Sequence, residues 1–212
     1  VLDPVKLTIT NYEDGKTEML TAENYFENDV DIRQVGFSKT LWIEREDFME
    51  VPVKKYFRLA PGTMVRLKHA YIIKCEGFEK DNNGRITEIH CSYIPESKSG
   101  NDTSGLTVKS AIHWVSADHA STAEVRLYDR LFTEEDVASS EKDFKELINP
   151  DSLAIIPGAI IEKSLQEAEP NVAYQFIRKG YFCLDKDSTS EHLVFNRTTT
   201  LKDAWAKEVK KK

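Results

Sequence analysis

Apolar and polar side chains alternate with period 2 along most of this chain, a pattern that predicts strands with one face on a core. Val5, Leu7 and Ile9 alternate with Lys6, Thr8 and Thr10. Leu106, Val108, Ile112 and Trp114 keep one parity over a longer segment, and Val125, Leu127 and Leu131 do so in the next. Residues 71–78 and 86–94 are rich in β-branched and aromatic residues and are joined by Lys80-Asp81-Asn82-Asn83-Gly84. Asn-Gly supplies the positive φ angles of a tight turn, so these runs are read as a hairpin. Residues 172–184 form a further β-rich run, with Gly180 expected at a bulge. The most apolar run, 153–161, contains Pro157-Gly158 and reads as a turn between two buried segments.

Helix signals are few and short. Thr133-Glu134-Glu135-Asp136 has the form of an N-cap followed by acidic residues in the first turn. Residues 164–169 suit one or two turns before Pro170, and 201–209 a closing helix packed through Trp205. Many short strands with few helices predict barrels or sandwiches. Soft boundaries fall at 95–105, rich in Ser, Lys and Gly, and around 139–151.

Composition agrees with a packed chain: 40% of the 212 residues are hydrophobic and 31% charged. No run approaches the ~20 apolar residues that span a bilayer. The start, Val1-Leu2-Asp3-Pro4, has no signal-peptide pattern, and its Val suggests a piece of a longer or processed chain. Without a signal, the two N-x-Thr triplets at Asn101 and Asn196 carry no weight. Three widely spaced cysteines (Cys75, Cys91, Cys183) fit neither a zinc pattern nor a disulfide framework, and are expected to be reduced, buried thiols of a cytosolic protein.

Catalytic motifs are missing: there is no G-x-G-x-x-G, no phosphate-binding loop and no H-E-x-x-H. The five histidines are scattered, and His113, next to Trp114, is expected to pack or hydrogen-bond. No catalytic residue and no metal ligand is assigned.

Charge changes the picture. The formal net charge is −7, which argues against coating nucleic acid with the whole surface. Residues 51–75 nevertheless hold six basic residues (Lys54, Lys55, Arg58, Arg66, Lys68, Lys74) and no acidic one. Subtracting +6 from −7 leaves −13 for the remainder. Tyr56, Phe57 and Tyr71 are interleaved with these cations. Cations suit phosphates, and flat aromatic faces with forked guanidinium donors suit unstacked bases.

The runs Ile112-His113-Trp114-Val115-Ser116-Ala117 and Ala123 through Phe132, with Gly180-Tyr181-Phe182-Cys183-Leu184-Asp185 and Phe195-Asn196-Arg197-Thr198, resemble the C-terminal region of the glutaminyl-tRNA synthetase family. Leu2 through Leu7 and Val65 through Lys74 resemble it too, and the matches stay in order along the chain. The related glutamyl enzymes share the architecture, but the His-Trp-Val-Ser run is more similar to the glutaminyl branch. The resemblance implies a mainly β fold of two small β-barrels with short helices, which bind the anticodon loop. The expected split is a proximal barrel of 1–50 plus 150–212 and a distal barrel of 51–149. It also implies a separate Rossmann-type catalytic domain holding ATP and Mg, with no cofactor in this chain. The implied partners are the tRNA(Gln) anticodon stem-loop and that catalytic domain, in the cytoplasm, with no membrane or DNA. The alternatives are the same module of a glutamyl enzyme and a β-barrel protein-interaction domain.

Site residues follow from the resemblance position by position. Arg58 stands where the family reads the third anticodon base, a G whose O6/N7 edge accepts a guanidinium fork. Arg66 matches an Arg near the first base, and Gln175 a Gln near the middle U, whose edge suits an amide. Lys55 stands where a Gln occurs and Phe57 where a Lys is common. Ile177 replaces an acidic residue, and beside it Arg178 is expected to support the loop or meet phosphate; Lys54 joins the tRNA-binding set. A family Arg just ahead of Val1 contributes to the middle-base site, so weaker tRNA binding than the whole enzyme is expected.

Overall fold

The fold is described from a computed structural model, over residues 1–24 and 31–201. The strands are β1 (Pro4–Ile9), β2 (Glu18–Glu23), β3 (Ile32–Phe37), β4 (Thr40–Glu44), β5 (Met64–Leu67), β6 (Ile72–Lys80), β7 (Ile86–Ile94), β8 (Ala111–Ile112) and β9 (Trp114–Ser116). They are followed by β10 (Ala120–Tyr128), β11 (Leu153–Glu162), β12 (Tyr174–Phe176), β13 (Gly180–Leu184) and β14 (Leu193–Thr199). Only short 3-10 turns accompany them among the described residues. The chain forms two compact units: the first comprises 1–121 and 160–165, the second 122–159 and 166–212.

In the first unit seven strands form one sheet in the order β8-β5-β6-β7-β1-β4-β9. Its two edge strands are separated in sequence only by His113, so the sheet curls until its edges nearly meet and a barrel nearly closes. Alternation works as expected: Val5, Leu7 and Ile9 are buried while their neighbours face outward. They pack with Leu41, Ile43, Leu67, Ile73 and Ile89. β2 and β3 form a separate two-stranded ribbon whose Leu20 and Phe37 enter the same core. Phe37 meets Tyr12, Tyr71 and Trp114 at 5.1–5.3 Å between ring centroids. The hydroxyls of Tyr12 and Tyr71 donate to Glu18 (3.2 and 2.8 Å), which also accepts from Lys98 Nζ (3.0 Å). In this half-buried polar knot the donors and acceptors are matched.

The β6–β7 hairpin forms where Asn83-Gly84 places it, with a different turn. Gly84 alone takes positive φ (80°), and the Asp81 carboxylate accepts from Asn83 N (2.9 Å) and Arg85 N (2.8 Å). The buried thiols of Cys75 and Cys91 face one another across this pair.

In the second unit the order is β11-β10-β14-β13-β12, with β10 and β14 parallel. Val125, Phe182, Val194 and Phe195 are buried there.

Several expectations are corrected. The split at 50/51 fails because β6 and β7 lie in the same sheet as β1 and β4, with β7 pairing β1 directly. Residues 153–161 form no turn: Pro157 sits inside β11, whose position at the sheet edge tolerates a missing N–H. The parity at Leu106 and Val108 starts no strand; pairing begins only at Ala111. Thr133 opens no helix, and its N–H instead bonds Leu147 O (2.8 Å). The turn expected at 164–169 is present as a 3-10 helix, Lys163–Glu167. Beyond Leu201, the helix expected at 201–209 with Trp205 lies outside the described residues.

Candidate nucleic-acid interface

Two exposed turns carry most of the expected residues, one in each unit. In the first unit the loop between Phe48 and Leu59 is pinned at its base. Met49 N bonds Leu59 O, and Leu59 N bonds Asp47 O, both at 3.0 Å, while both ends are buried. Between them Val51, Val53, Lys54, Lys55 and Phe57 are exposed. Tyr56 N closes a turn onto Val53 O (3.0 Å), with Lys55 in its third position at φ 70°. Glycine or Asn is usual there, and a longer side chain costs about 1–2 kcal/mol. Lys55 therefore holds a left-handed backbone at the loop apex without being a glycine. Neither Lys54 nor Lys55 has a hydrogen-bond or ion-pair partner among the described residues.

Phe57 is half-exposed, and Lys109 Nζ sits 5.0 Å from its ring centroid. Ser110 Oγ donates to Phe57 O (2.5 Å), and Ser110 O accepts from Arg66 N (3.1 Å), tying β5 to this loop. Arg58 is one-third exposed; its Nη1 donates to Glu46 O (3.1 Å) and lies 3.2 Å from the buried Asp47 carboxylate. Its Nη1 also lies 3.6 Å from the Glu46 carboxylate, so this nitrogen faces the base of the loop.

Arg66 is differently placed. Its Nη1 donates to Ser97 O (2.6 Å) and its Nη2 to Asp102 Oδ2 (2.5 Å). The Asp102 carboxyl is held below its usual range, because Ser104 Oγ and then Ser104 N donate to it and Arg66 donates and adds its charge. Lys74 pairs with Glu76 at 3.5 Å. The cationic segment is therefore partly offset by carboxylates from elsewhere, and its unpaired charge concentrates at Lys54 and Lys55.

In the second unit Gln175 and Arg178 lie on the β12–β13 hairpin. Phe176 stacks on Phe182 at 4.2 Å, and Tyr174 meets Phe195 edge-on at 6.3 Å. With Tyr174 and Phe176 turned to the core, alternation sends Gln175 outward, and it is exposed. Lys179 N bonds Phe176 O (2.8 Å), closing a turn in which Arg178 takes the third position at φ 65°. Both loops thus end in a hydrogen-bonded turn with a long cation in a left-handed third position. Gly180 follows at φ 139°, where an added Cβ would stand 2.3 Å from Thr199 O.

Sequence reasoning missed Lys109, 52 positions from Phe57, because only folding brings its cation over that ring. It also missed Asp102, which no motif marks.

Cationic turns, an open aromatic face and an outward amide on sheet scaffolds are groups whose chemistry suits phosphates and unstacked bases. The pattern of tRNA synthetases class I (E and Q), anti-codon binding domain, matches residues 1–94 and, in a second form, 111–185; the chain belongs to this family. It is 54% identical over 209 residues to a glutamine–tRNA ligase of Vibrio parahaemolyticus, covering 98% of this chain and 37% of that protein. A glutamine–tRNA ligase of Clostridium perfringens is 49% identical over 207 residues, covering 97% and 37%. One of Vibrio cholerae is 51% identical over 209 residues, covering 98% and 37%. The chain therefore spans a little over one third of the length of these relatives. Among the described residues no helix is long and apolar enough to cross a membrane, and no group of three His, Cys, Asp or Glu is placed to hold a metal.

Proposed function

We propose that the chain is the anticodon-reading part of a glutamine–tRNA ligase, acting in the cytoplasm on tRNA(Gln). The observation that carries this reading is the pair of apical cations, Lys55 and Arg178, each held in a left-handed turn beside an expected base reader. Arg58, one-third exposed, presents its fork to the third anticodon base, a G. Gln175 offers donor and acceptor to the middle U. Lys54, Lys55 and Arg178 meet phosphates, and Arg66 lies near the first base. ATP and Mg belong to the catalytic portion of the ligase, which attaches glutamine once the anticodon is held.

Titrating the chain with anticodon stem-loops carrying CUG, UUG and CUC tests this. CUG and UUG are expected to bind more tightly than CUC, with a salt dependence that reports phosphate contacts. A preference for CUC assigns the module to a glutamyl enzyme, and salt-independent or absent binding assigns it to protein interaction; either result overturns the proposal.

A further inference from the structure

We infer that Asp102 is a positioning residue for anticodon reading, which fixes the Arg66 guanidinium and cancels its charge so that Arg66 reads a base rather than a phosphate. The inference rests on the anticodon-reading function proposed above. Arg66 projects from β5, and its fork is met on two sides by the segment that follows β7: Ser97 O takes Nη1 (2.6 Å) and Asp102 Oδ2 takes Nη2 (2.5 Å). Asp102 is itself immobilised, since its Oδ1 accepts from Ser104 N (2.9 Å) and Ser104 Oγ (2.7 Å). One carboxylate oxygen is anchored and the other holds the arginine.

The segment carrying Asp102 is fastened to the barrel. Ser97 Oγ donates to Ile94 O (2.6 Å) and accepts from Ile72 N (2.7 Å). Ser99 N and Oγ both donate to Ala70 O (2.9 and 2.8 Å), Thr103 N to Glu96 O (2.8 Å), and Lys98 Nζ pairs with Glu18 (3.0 Å). Arg66 is thus preset before RNA arrives, so little rotamer freedom is lost on binding. A free arginine at this position would attract any phosphate, which adds affinity for every RNA and no sequence information. An arginine whose charge is already met by Asp102 gains from RNA mainly through its remaining N–H groups, whose directions are fixed. Lys54 and Lys55, without carboxylate partners, are left as the phosphate contacts.

The test measures binding of CUG and GUG stem-loops, which differ at the first base, over a range of salt concentrations. The variants are Asp102→Asn and Asp102→Glu in the full chain. For Asp102→Asn the slope of log affinity against log salt is expected to steepen by ~0.7, one added single-strand phosphate contact. The CUG-over-GUG preference is expected to fall at least ~5-fold, the lower range for loss of an oriented arginine contact. Asp102→Glu keeps the charge and is expected to keep the parental slope, which separates charge cancellation from loop disruption. Unchanged slope and preference in Asp102→Asn overturn the role of Asp102, as does an equal change in both variants. Failure of the parent chain to bind any stem-loop overturns the underlying reading, and this inference with it.

Discussion

Replacing Arg58 with lysine separates the shape of the guanidinium from its charge. Lysine keeps a positive charge opposite Asp47, 3.2 Å from Nη1 in the parent, and near Glu46 at 3.6 Å. It has no planar fork to match the O6/N7 edge of a guanine. Arg58 is one-third exposed, and partly exposed pairs are worth about 0.2–1 kcal/mol. Because the lysine retains the pair, the unfolding free energy is expected to move by less than about 0.5 kcal/mol, as read by urea denaturation. A bidentate base contact is worth about 1–3 kcal/mol of discrimination. The CUG-over-CUC affinity ratio is therefore expected to fall by ~5- to 150-fold. The number of cations is unchanged, so the salt slope should hold within error. An unchanged ratio refutes the assignment of Arg58 to the third base. Equal loss on CUG and CUC refutes it as well, since that is the signature of a phosphate contact.

Lys55→Gly and Arg178→Gly relieve left-handed backbone (φ 70° and 65°) and should each raise unfolding stability by about 1 kcal/mol. Each should also weaken stem-loop binding and flatten its salt slope by ~0.7. Gly180→Ala places a Cβ 2.3 Å from a backbone oxygen at φ 139° and should lower stability by about 2–4 kcal/mol. Gly77→Ala, with no atom within 4 Å of its added Cβ, serves as the mild control in the same denaturation series. Burial pushes His113 down to about 4 from an ordinary 6.5. The unfolded chain therefore takes up a proton near pH 6.5 that the folded chain refuses until about pH 4, and stability falls across that window on acidification. At Glu18 burial opposes ionisation, but the bonds from Lys98 and Tyr71 outweigh it and hold the carboxyl below its usual range. Its stabilisation is lost as the pH falls below the ordinary carboxylate range and through the lowered folded-state value. Replacing His113 with Gln should flatten the pH 4–6.5 part of the denaturation profile.

What the sequence displayed depended on how local the determining interactions are. The β6–β7 hairpin was legible because Asn83-Gly84 and the flanking β-rich runs sit within 25 residues. Gln175 was reached only through the family resemblance, and its outward aim between Tyr174 and Phe176 is shown by the fold. The run at 153–161 misled because a Pro is a turn former in the middle of a sheet and harmless at its edge, and edge placement is a tertiary fact. Thr133 has the chemistry of a helix cap, yet its N–H is taken by Leu147, 14 residues on. The cationic run at 51–75 was visible as composition, but its partners were not. Asp47 lies just before the run, Asp102 well after it, and each offsets one arginine. Composition shows six cations in one run, and the fold anchors Arg58 and Arg66, pairs Lys74 with Glu76 and leaves Lys54 and Lys55 exposed at the loop.

On the reading proposed above, anticodon contacts concentrate at the two left-handed turns and the residues beside them. Backbone amide chemical shifts of the labelled chain, recorded as a CUG stem-loop is added, test it most directly. The largest shifts are expected at 53–58, 66 and 175–179, with the β2–β3 ribbon unmoved. Saturable shifts centred on that ribbon, with residues 53–58 and 175–179 silent, would contradict it.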